Sequence, residues 1–329
     1  MKRILLTHPI PETCIEPYRE EFDITMPVKK LSQEEILGMV SDYEALFLIG
    51  SQCDKDILEA GVRLKAVANL GVGYDNIDWE YATEKGIAVV NTPTQVTEAT
   101  AEHCIALIMA VMRGTSYYDR FVRKGFWDVA TFTDQCTMIA GSTLGIVGFG
   151  RIGRLVCKKA QGLGMRVIYH DIYRMTGEME REYRVEYKEM DELLAICDCI
   201  SLNMPYTPEN CHFINRDSFL KMKKNSYLIN CARGPVVDEQ ALVEALDSGY
   251  IKGAGLDVFE YEPHISPELL MAENVVLTPH IASAVLTARI GMACEALDGI
   301  AKVLKEEEPY NVINPEVLTW ERQVETWKL

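Results

Sequence analysis

One stretch, Gly148-Phe149-Gly150-Arg151-Ile152-Gly153, constrains this 329-residue chain more than any other. The run before it, Ser142–Val147, is short and apolar. The run after it, Arg154–Ala160, suits a helix, and Met165–His170 is a second apolar run ending at Asp171, 18 residues past Gly153. Strand, glycine turn, helix, strand and acid, in that order, predict a βαβ dinucleotide site. Gly148 makes the tight turn, Gly150 lets backbone approach a pyrophosphate, and Gly153 lets helix and strand pack closely. Arg151 and Ile152 fall at the helix start, where free N–H groups favour phosphate. A carboxylate at Asp171 can accept bonds from ribose hydroxyls and would repel a 2′-phosphate, so the pattern favours NAD(H) over NADP(H). Arg174, close by, reads as a solvated loop residue. The competing reading, a glycine turn in an ordinary βαβ unit, is disfavoured by the flanks.

The rest of the chain is predicted α/β. Ile4–Thr7, Ala45–Ile49, Ala66–Asn69 and Ala88–Asn91 read as strands, and helices start at the capping residues Ser32 and Asp54. A long apolar helix is expected over about 99–113 and another over roughly 284–305. Between them lies a second series, with strands at 144–148, 166–170, 198–202, 226–230, 253–257 and 274–278. The glycine turn opens this second series, so the N-terminal series is not the nucleotide unit.

Composition narrows the functional classes. A formal net charge of −16 disfavours nucleic acid and anionic membranes as partners. The longest apolar stretch, Cys104–Met112, is half a membrane span at best, and the apolar run in Met1–Pro9 is too short for a signal peptide. A cytoplasmic protein is expected. The ten cysteines include no CxxC pair and sit mostly among apolar neighbours, which predicts reduced, buried thiols and no metal site.

Three segments follow predicted strands of the second series, where α/β sheets place their ligands. Leu228–Asp238 carries Arg233, Gly253–Pro263 carries Glu262, and Val275–Ser283 carries His280. An arginine can grip a carboxylate with a two-pronged hydrogen bond. Histidine ordinarily titrates near neutrality and can protonate a developing alkoxide, and a carboxylate on its other nitrogen fixes the tautomer. The set suits hydride transfer to a 2-oxo acid. Taken singly, each residue also fits a bland role: a loop arginine, a solvated carboxylate, a structural histidine.

With these motifs the chain resembles, over nearly its full length, the D-isomer-specific 2-hydroxyacid dehydrogenases. GFGRIG with Asp171, NCARGPVVDEQAL, GLDVFEYEP and LTPHIAS all match. The resemblance implies that Arg233 binds substrate, that Glu262 partners the histidine and that His280 is the acid/base. It implies two Rossmann-like domains with parallel sheets. A doubly wound NAD domain, 99–284, would be inserted into a flavodoxin-like substrate domain made of 1–98 and 285–329, with substrate in the cleft. Leu70, Gly71, Val72 and Gly73 look like the substrate loop, with N–H groups near Val72 and Gly73 facing the substrate carboxylate. Thr100, Met204, Pro205, Cys231, Ala232, Asp257 and His280 match cofactor-contacting positions. A homodimer is the family's usual state.

Departures from relatives bear on the substrate. Phosphoglycerate-oxidising members often carry an arginine where this chain reads Leu48-Ile-Gly-Ser51, and the 69–73 loop holds no base, so an unphosphorylated acid is expected. Formate dehydrogenases place glutamine at the position of Glu262, and phosphite dehydrogenases carry a loop lysine absent here. The run Asn91–Glu102 looks most like glyoxylate/hydroxypyruvate reductases. Reduction of pyruvate or branched 2-oxo acids stays open, as do a phosphoglycerate dehydrogenase activity and an NAD-sensing corepressor-like binding role. Phe126-Trp127 reads either as a lid on a small pocket or as plain packing.

Overall fold

Strands β1 (Lys2–Leu6), β2 (Phe22–Thr25), β3 (Ala45–Leu48), β4 (Ala66–Asn69) and β5 (Ala88–Val90) form an all-parallel sheet ordered β2-β1-β3-β4-β5. This is the flavodoxin-like winding. The coordinates are a computed structural model that describes residues 1–130 and 134–318. They divide the chain into two units, Met1–Val96 with Ala284–Leu329, and Thr97–Ser283. The last residues of the expected 285–329 segment, 319–329, lie outside the described residues.

In the first unit, strand alternation sorts the core onto two faces. Ile4, Leu6, Phe47 and Val90 meet Ala296, Leu297, Ile300 and Leu304 of the helix Leu286–Lys305. Leu5, Leu46, Leu48 and Val89 pack on the other face, with Ile36 and Ile57 of two short helices. Those helices start where the sequence predicts: Ser32 forms a capping box with Glu35, and the Asp54 carboxylate accepts the Ile57 N–H at 3.1 Å.

The outer edge of β5 would expose unpaired backbone, a template for unwanted strand addition. The chain's return from the long helix closes it. The Asn91 N–H donates to the Asn311 carbonyl (3.1 Å) and the Ile313 N–H to that of Val89 (2.8 Å). The buried Asn314 carboxamide completes the seal, accepting from the Val89 N–H (2.8 Å) and donating to the Ile87 carbonyl (2.9 Å) and Thr83 Oγ1 (2.8 Å).

In the second unit, β6 (Thr143–Val147), β7 (Arg166–His170), β8 (Glu186–Tyr187), β9 (Cys199–Leu202), β10 (Tyr227–Asn230), β11 (Gly253–Leu256) and β12 (Val275–Leu277) form a parallel sheet. Its order is β12-β11-β10-β9-β6-β7-β8. The winding reverses between β6 and β9, which makes the carboxyl end of β6 the place where such sheets bind ligands. The helices Val96–Met112 and Arg151–Gly162 cover one face through Cys104, Leu107, Ile108, Val156 and Cys157. Leu193, Phe219 and Leu242 of three other helices cover the opposite face. Among the described residues no helix is long and apolar enough to cross a membrane.

The sequence reading omits β2 and β8. Phe22–Thr25 is a four-residue edge strand, with Phe22 and Ile24 buried and Asp23 exposed, and β8 is a two-residue edge pairing. β2 interrupts its apolar residues with Asp23 and ends on Thr25, so it offers no apolar run, and β8 is too short to show a period.

Replacing Asn314 with alanine leaves the Val89 N–H and Ile87 carbonyl buried without partners. We expect a loss of about 2–3 kcal/mol in urea-induced unfolding; an unchanged midpoint would mean that the edge is sealed by other means.

Candidate active site

The glycine turn sits at the carboxyl end of β6, at the reversal. Gly148 has φ +87°, and a Cβ there would lie 2.7 Å from the Met204 backbone nitrogen. A Cβ on Gly153 would fall 2.3 Å from the Gly148 carbonyl oxygen, so this glycine lets the helix Arg151–Gly162 press onto the turn. Gly150 differs: its φ is an ordinary −72°, and a Cβ would meet nothing within 4 Å. It is also the helix N-cap and supplies no side-chain cap. The space above it and the uncapped N–H groups fit a pyrophosphate. Asp171, just past β7, accepts the Phe149 N–H at 2.6 Å and the Tyr173 N–H at 2.9 Å, which aims its carboxylate while leaving lone pairs for ribose hydroxyls. Arg174 is not a free loop cation. It pairs with Glu180 at 2.9 and 3.2 Å and lies over the Tyr187 ring.

Other residues expected at the cofactor lie at this turn, in the loops after neighbouring strands or, for Thr100, in a helix. Arg151 is exposed and Ile152 half-buried in the first helical turn; Thr100 is buried in the helix Val96–Met112. Pro205, after Met204, gives its carbonyl to the Asn210 carboxamide at 2.7 Å. Cys231 is half-buried just beyond β10, and the buried Ala232 donates its N–H to Asn230 Oδ1 at 2.9 Å.

Arg233, Glu262 and His280 all lie in loops at the carboxyl ends of β10, β11 and β12. The loops are braced against each other. Beside Arg233, a Cβ on Gly234 would sit 1.8 Å from the Phe259 carbonyl oxygen, so only glycine permits this contact. Phe259 donates its N–H to Glu262 Oε1 at 3.0 Å, and Glu262 Oε2 meets His280 Nδ1 at 2.9 Å. Glu260 and Glu239 exchange backbone-to-carboxylate bonds of 3.1 and 3.2 Å, and His212 holds Glu260 Oε1 at 2.7 Å. Burial opposes the charge on Glu262. Its bond to His280, the Phe259 N–H and the nearby Arg233 guanidinium outweigh it and hold the carboxyl below the usual carboxylate range. The charge is therefore in place at neutral pH and is lost only as pH falls below that range.

His280 has φ +53°, a left-handed conformation uncommon for a residue with a side chain. Its N–H donates to the carbonyl of Asp257 at 2.8 Å. The Asp257 side chain, fully buried, accepts the N–H groups of Ile281 and Ala282, each at 2.8 Å, and the Thr278 hydroxyl at 2.6 Å. The sequence reading sets Asp257 beside a cofactor; here its oxygens bind the loop that bears His280.

In the first unit, Leu70–Gly73 follows β4. The carbonyls of Gly71, Val72 and Gly73 are taken by the Thr92 N–H (2.9 Å), Asn91 Nδ2 (2.8 Å) and Asn69 Nδ2 (2.6 Å). Because peptide C=O and N–H groups point oppositely, the N–H groups of Val72 and Gly73 face away from these partners. The segment Leu48–Ser51 holds no base of its own, but the Lys30 ammonium, distant in sequence, bonds the Gly50 carbonyl there. Phe126 and Trp127 are 56% and 81% exposed, so within their unit neither is plain core packing.

A Rossmann sheet with an open phosphate cradle and a histidine–carboxylate pair beside an arginine defines an NAD(H)-dependent oxidoreductase. Comparison with known proteins agrees. Residues 105–282 match the family model described as D-isomer specific 2-hydroxyacid dehydrogenase, NAD binding domain. The chain is 41% identical over 324 residues to a glyoxylate reductase of Pyrococcus horikoshii, covering 96% of this chain and 97% of that one. It superposes on a solved glyoxylate reductase from Paecilomyes thermophila with TM-score 0.87 and 31% identity, covering 96% and 99% of the two chains. The holo form of Rhodotorula graminis D-mandelate dehydrogenase gives TM-score 0.86 and 28% identity over 94% and 97%. The chain belongs to the D-isomer-specific 2-hydroxyacid dehydrogenase family, as an NAD-dependent oxidoreductase acting on the CH–OH group.

The glycines separate two roles experimentally. Gly150→Ala should leave the melting temperature of the cofactor-free protein unchanged while weakening NADH binding about 10-fold or more, since its Cβ intrudes only on the cradle. Gly153→Ala should lower both. Titration calorimetry and thermal melts decide; equal NADH affinity in Gly150→Ala would remove the cradle.

Proposed function

We propose that this chain reduces a small, unphosphorylated 2-oxo acid, of the glyoxylate or hydroxypyruvate kind, to the (R)-2-hydroxy acid. One observation carries the reading: Glu262 takes Nδ1 of His280 at 2.9 Å, which leaves Nε2 as the nitrogen that holds and gives the proton. NADH, when bound, supplies the hydride. Arg233 grips the substrate carboxylate and orients the carbonyl. His280 passes its proton to the carbonyl oxygen as negative charge builds there. Glu262, ionised at neutral pH, stabilises the imidazolium and keeps the ring in place. In the first unit, the turned-out N–H groups of Val72 and Gly73 suit an anionic carboxylate.

The same reading makes Thr97–Ser283 the cofactor unit, with Gly148, Gly150, Arg151, Ile152, Gly153 and Asp171 on the dinucleotide. It makes Met1–Val96 with the C-terminal return the substrate unit. The glyoxylate reductase relatives support a small acid. Arg174, engaged by Glu180, supports NADH over NADPH. Ten unpaired cysteines suit a reducing cytoplasmic setting.

We infer a homodimer as well. The helix Thr115–Arg123 buries none of its residues within its own unit, and Val122 (51%), Phe126 (56%) and Trp127 (81%) are exposed beside its ring cluster. Sedimentation should give a dimer for the natural chain and a shift toward monomer for Trp127→Glu; a monomeric natural chain would refute this.

The activity is tested by NADH oxidation with glyoxylate, hydroxypyruvate, pyruvate, 2-oxoisocaproate and 3-phosphohydroxypyruvate. Fast turnover of the small unphosphorylated acids is expected. The phosphorylated acid belongs in the set because Lys30 stands at Gly50; its exclusive turnover would overturn the substrate choice. His280→Ala should lose at least ~10²-fold in kcat, the usual scale for a general acid. Undiminished turnover would remove His280 from the mechanism.

A further inference from the structure

We propose that His103 is a positioning residue for this reaction: from the helix Val96–Met112, its Nε2 holds the Thr278 hydroxyl and the Asp257 carboxylate that fix the loop bearing His280. The inference rests on the assignment of His280 as acid/base.

The geometry is a closed set. His103 Nε2 lies 3.0 Å from Thr278 Oγ1 and 3.3 Å from Asp257 Oδ1. The Thr278 hydroxyl donates to that same Oδ1 at 2.6 Å, so the oxygen of Thr278 is left to accept from the ring. Asp257 then spends Oδ1 on the Ile281 N–H and Oδ2 on the Ala282 N–H, the two residues directly after His280. A left-handed backbone at a residue with a side chain persists only where its surroundings over-determine it. Here bonds on both sides of His280 do so, and they converge on one carboxylate.

That carboxylate has no access to water, and an isolated buried charge is strongly disfavoured. The groups facing it are His103 from the helix, Thr278 and two N–H groups from the loop, and the Cys231 thiol from beyond β10. That thiol is pushed up by contact with Cys104, by burial and by the charge of Asp257, so it stays neutral. Burial opposes ionisation of Asp257, but the bonds from His103, Thr278, Ile281 and Ala282 hold its carboxyl below its usual range. The sign follows. A depressed carboxyl stays charged through neutral pH and fails only as pH falls through its own pKa. Removing His103 raises that pKa and brings the failure closer to neutrality.

The test compares full-length His103→Leu and His103→Gln with the natural chain, measuring kcat across pH at saturating NADH and oxo acid, together with NADH affinity and melting temperature. The leucine variant should lose ~10-fold in kcat at neutral pH, the scale of one hydrogen bond to a buried charge. Its acid limb should move toward neutrality. Glutamine, whose amide still donates, should restore most of the rate. If the leucine variant does not fold, Thr278→Val, which removes the acceptor for His103, should reproduce its profile. A loss by the same factor at every pH, unrelieved by glutamine, would assign His103 a packing role and overturn the inference, as would an unchanged profile in either disruptive variant. His280→Ala run alongside separates the two readings. If it stays active, the acid/base assignment fails. If it is inactive while His103→Leu behaves as the natural chain, only this inference fails.

Discussion

A carboxylate removed from water must be answered by donors, and that demand organises the reactive end of the second unit. Asp257 directly follows β11, and its donors come from the loop beyond β12 and from a helix far earlier in the chain. The cost of burying the charge is offset only when every donor is in place. Satisfying Asp257 and shaping the backbone around His280 are therefore the same event. A second chain of contacts does the corresponding work for Glu262 and Arg233, through Gly234 against Phe259 and the reciprocal Glu239–Glu260 bonds. The side chains of Arg233, Glu262 and His280 are thus carried by backbone that is committed elsewhere.

Legibility in sequence divides along physical lines. The βαβ core and its glycines were readable because a tight turn, a close helix–strand approach and a buried parallel strand each leave a local pattern. Gly148, Gly153 and Asp171 stand where that pattern puts them. Arg233, Glu262 and His280 each follow an apolar run at a predictable strand end, which made their placement legible, and the roles proposed for them rest on the motif resemblance. Lys30 and His103 were not. Each acts across a distance in sequence, the first on Gly50 and the second on Thr278 and Asp257, and neither carries a local signature. A histidine inside Ala101-Glu-His-Cys104 looks like any polar residue on an apolar helix. The edge strands β2 and β8 failed for another reason: β2 offers no continuous apolar run, and β8 is only two residues long.

Two charged residues sit in the loop after β7. Asp171 is oriented by two backbone N–H groups. Arg174, the nearby residue able to welcome a 2′-phosphate, is spent on Glu180, whose carboxyl is held down chiefly by that same pairing. The proposed preference for NADH thus rests on two charges of opposite sign: one that would repel a 2′-phosphate, and one withheld from it.

The seal on β5 has a consequence for the order in which the chain acquires its structure. Residues 311–314 complete an edge whose strand is built from residues 88–90, so the first unit stays unfinished until those later residues are made. The second unit is one continuous stretch, Thr97–Ser283. On a ribosome, where a chain emerges from its N-terminus, the middle of this protein is ready to fold before its beginning is. The early strands must wait, with one sheet edge open, for residues 311–314 to arrive.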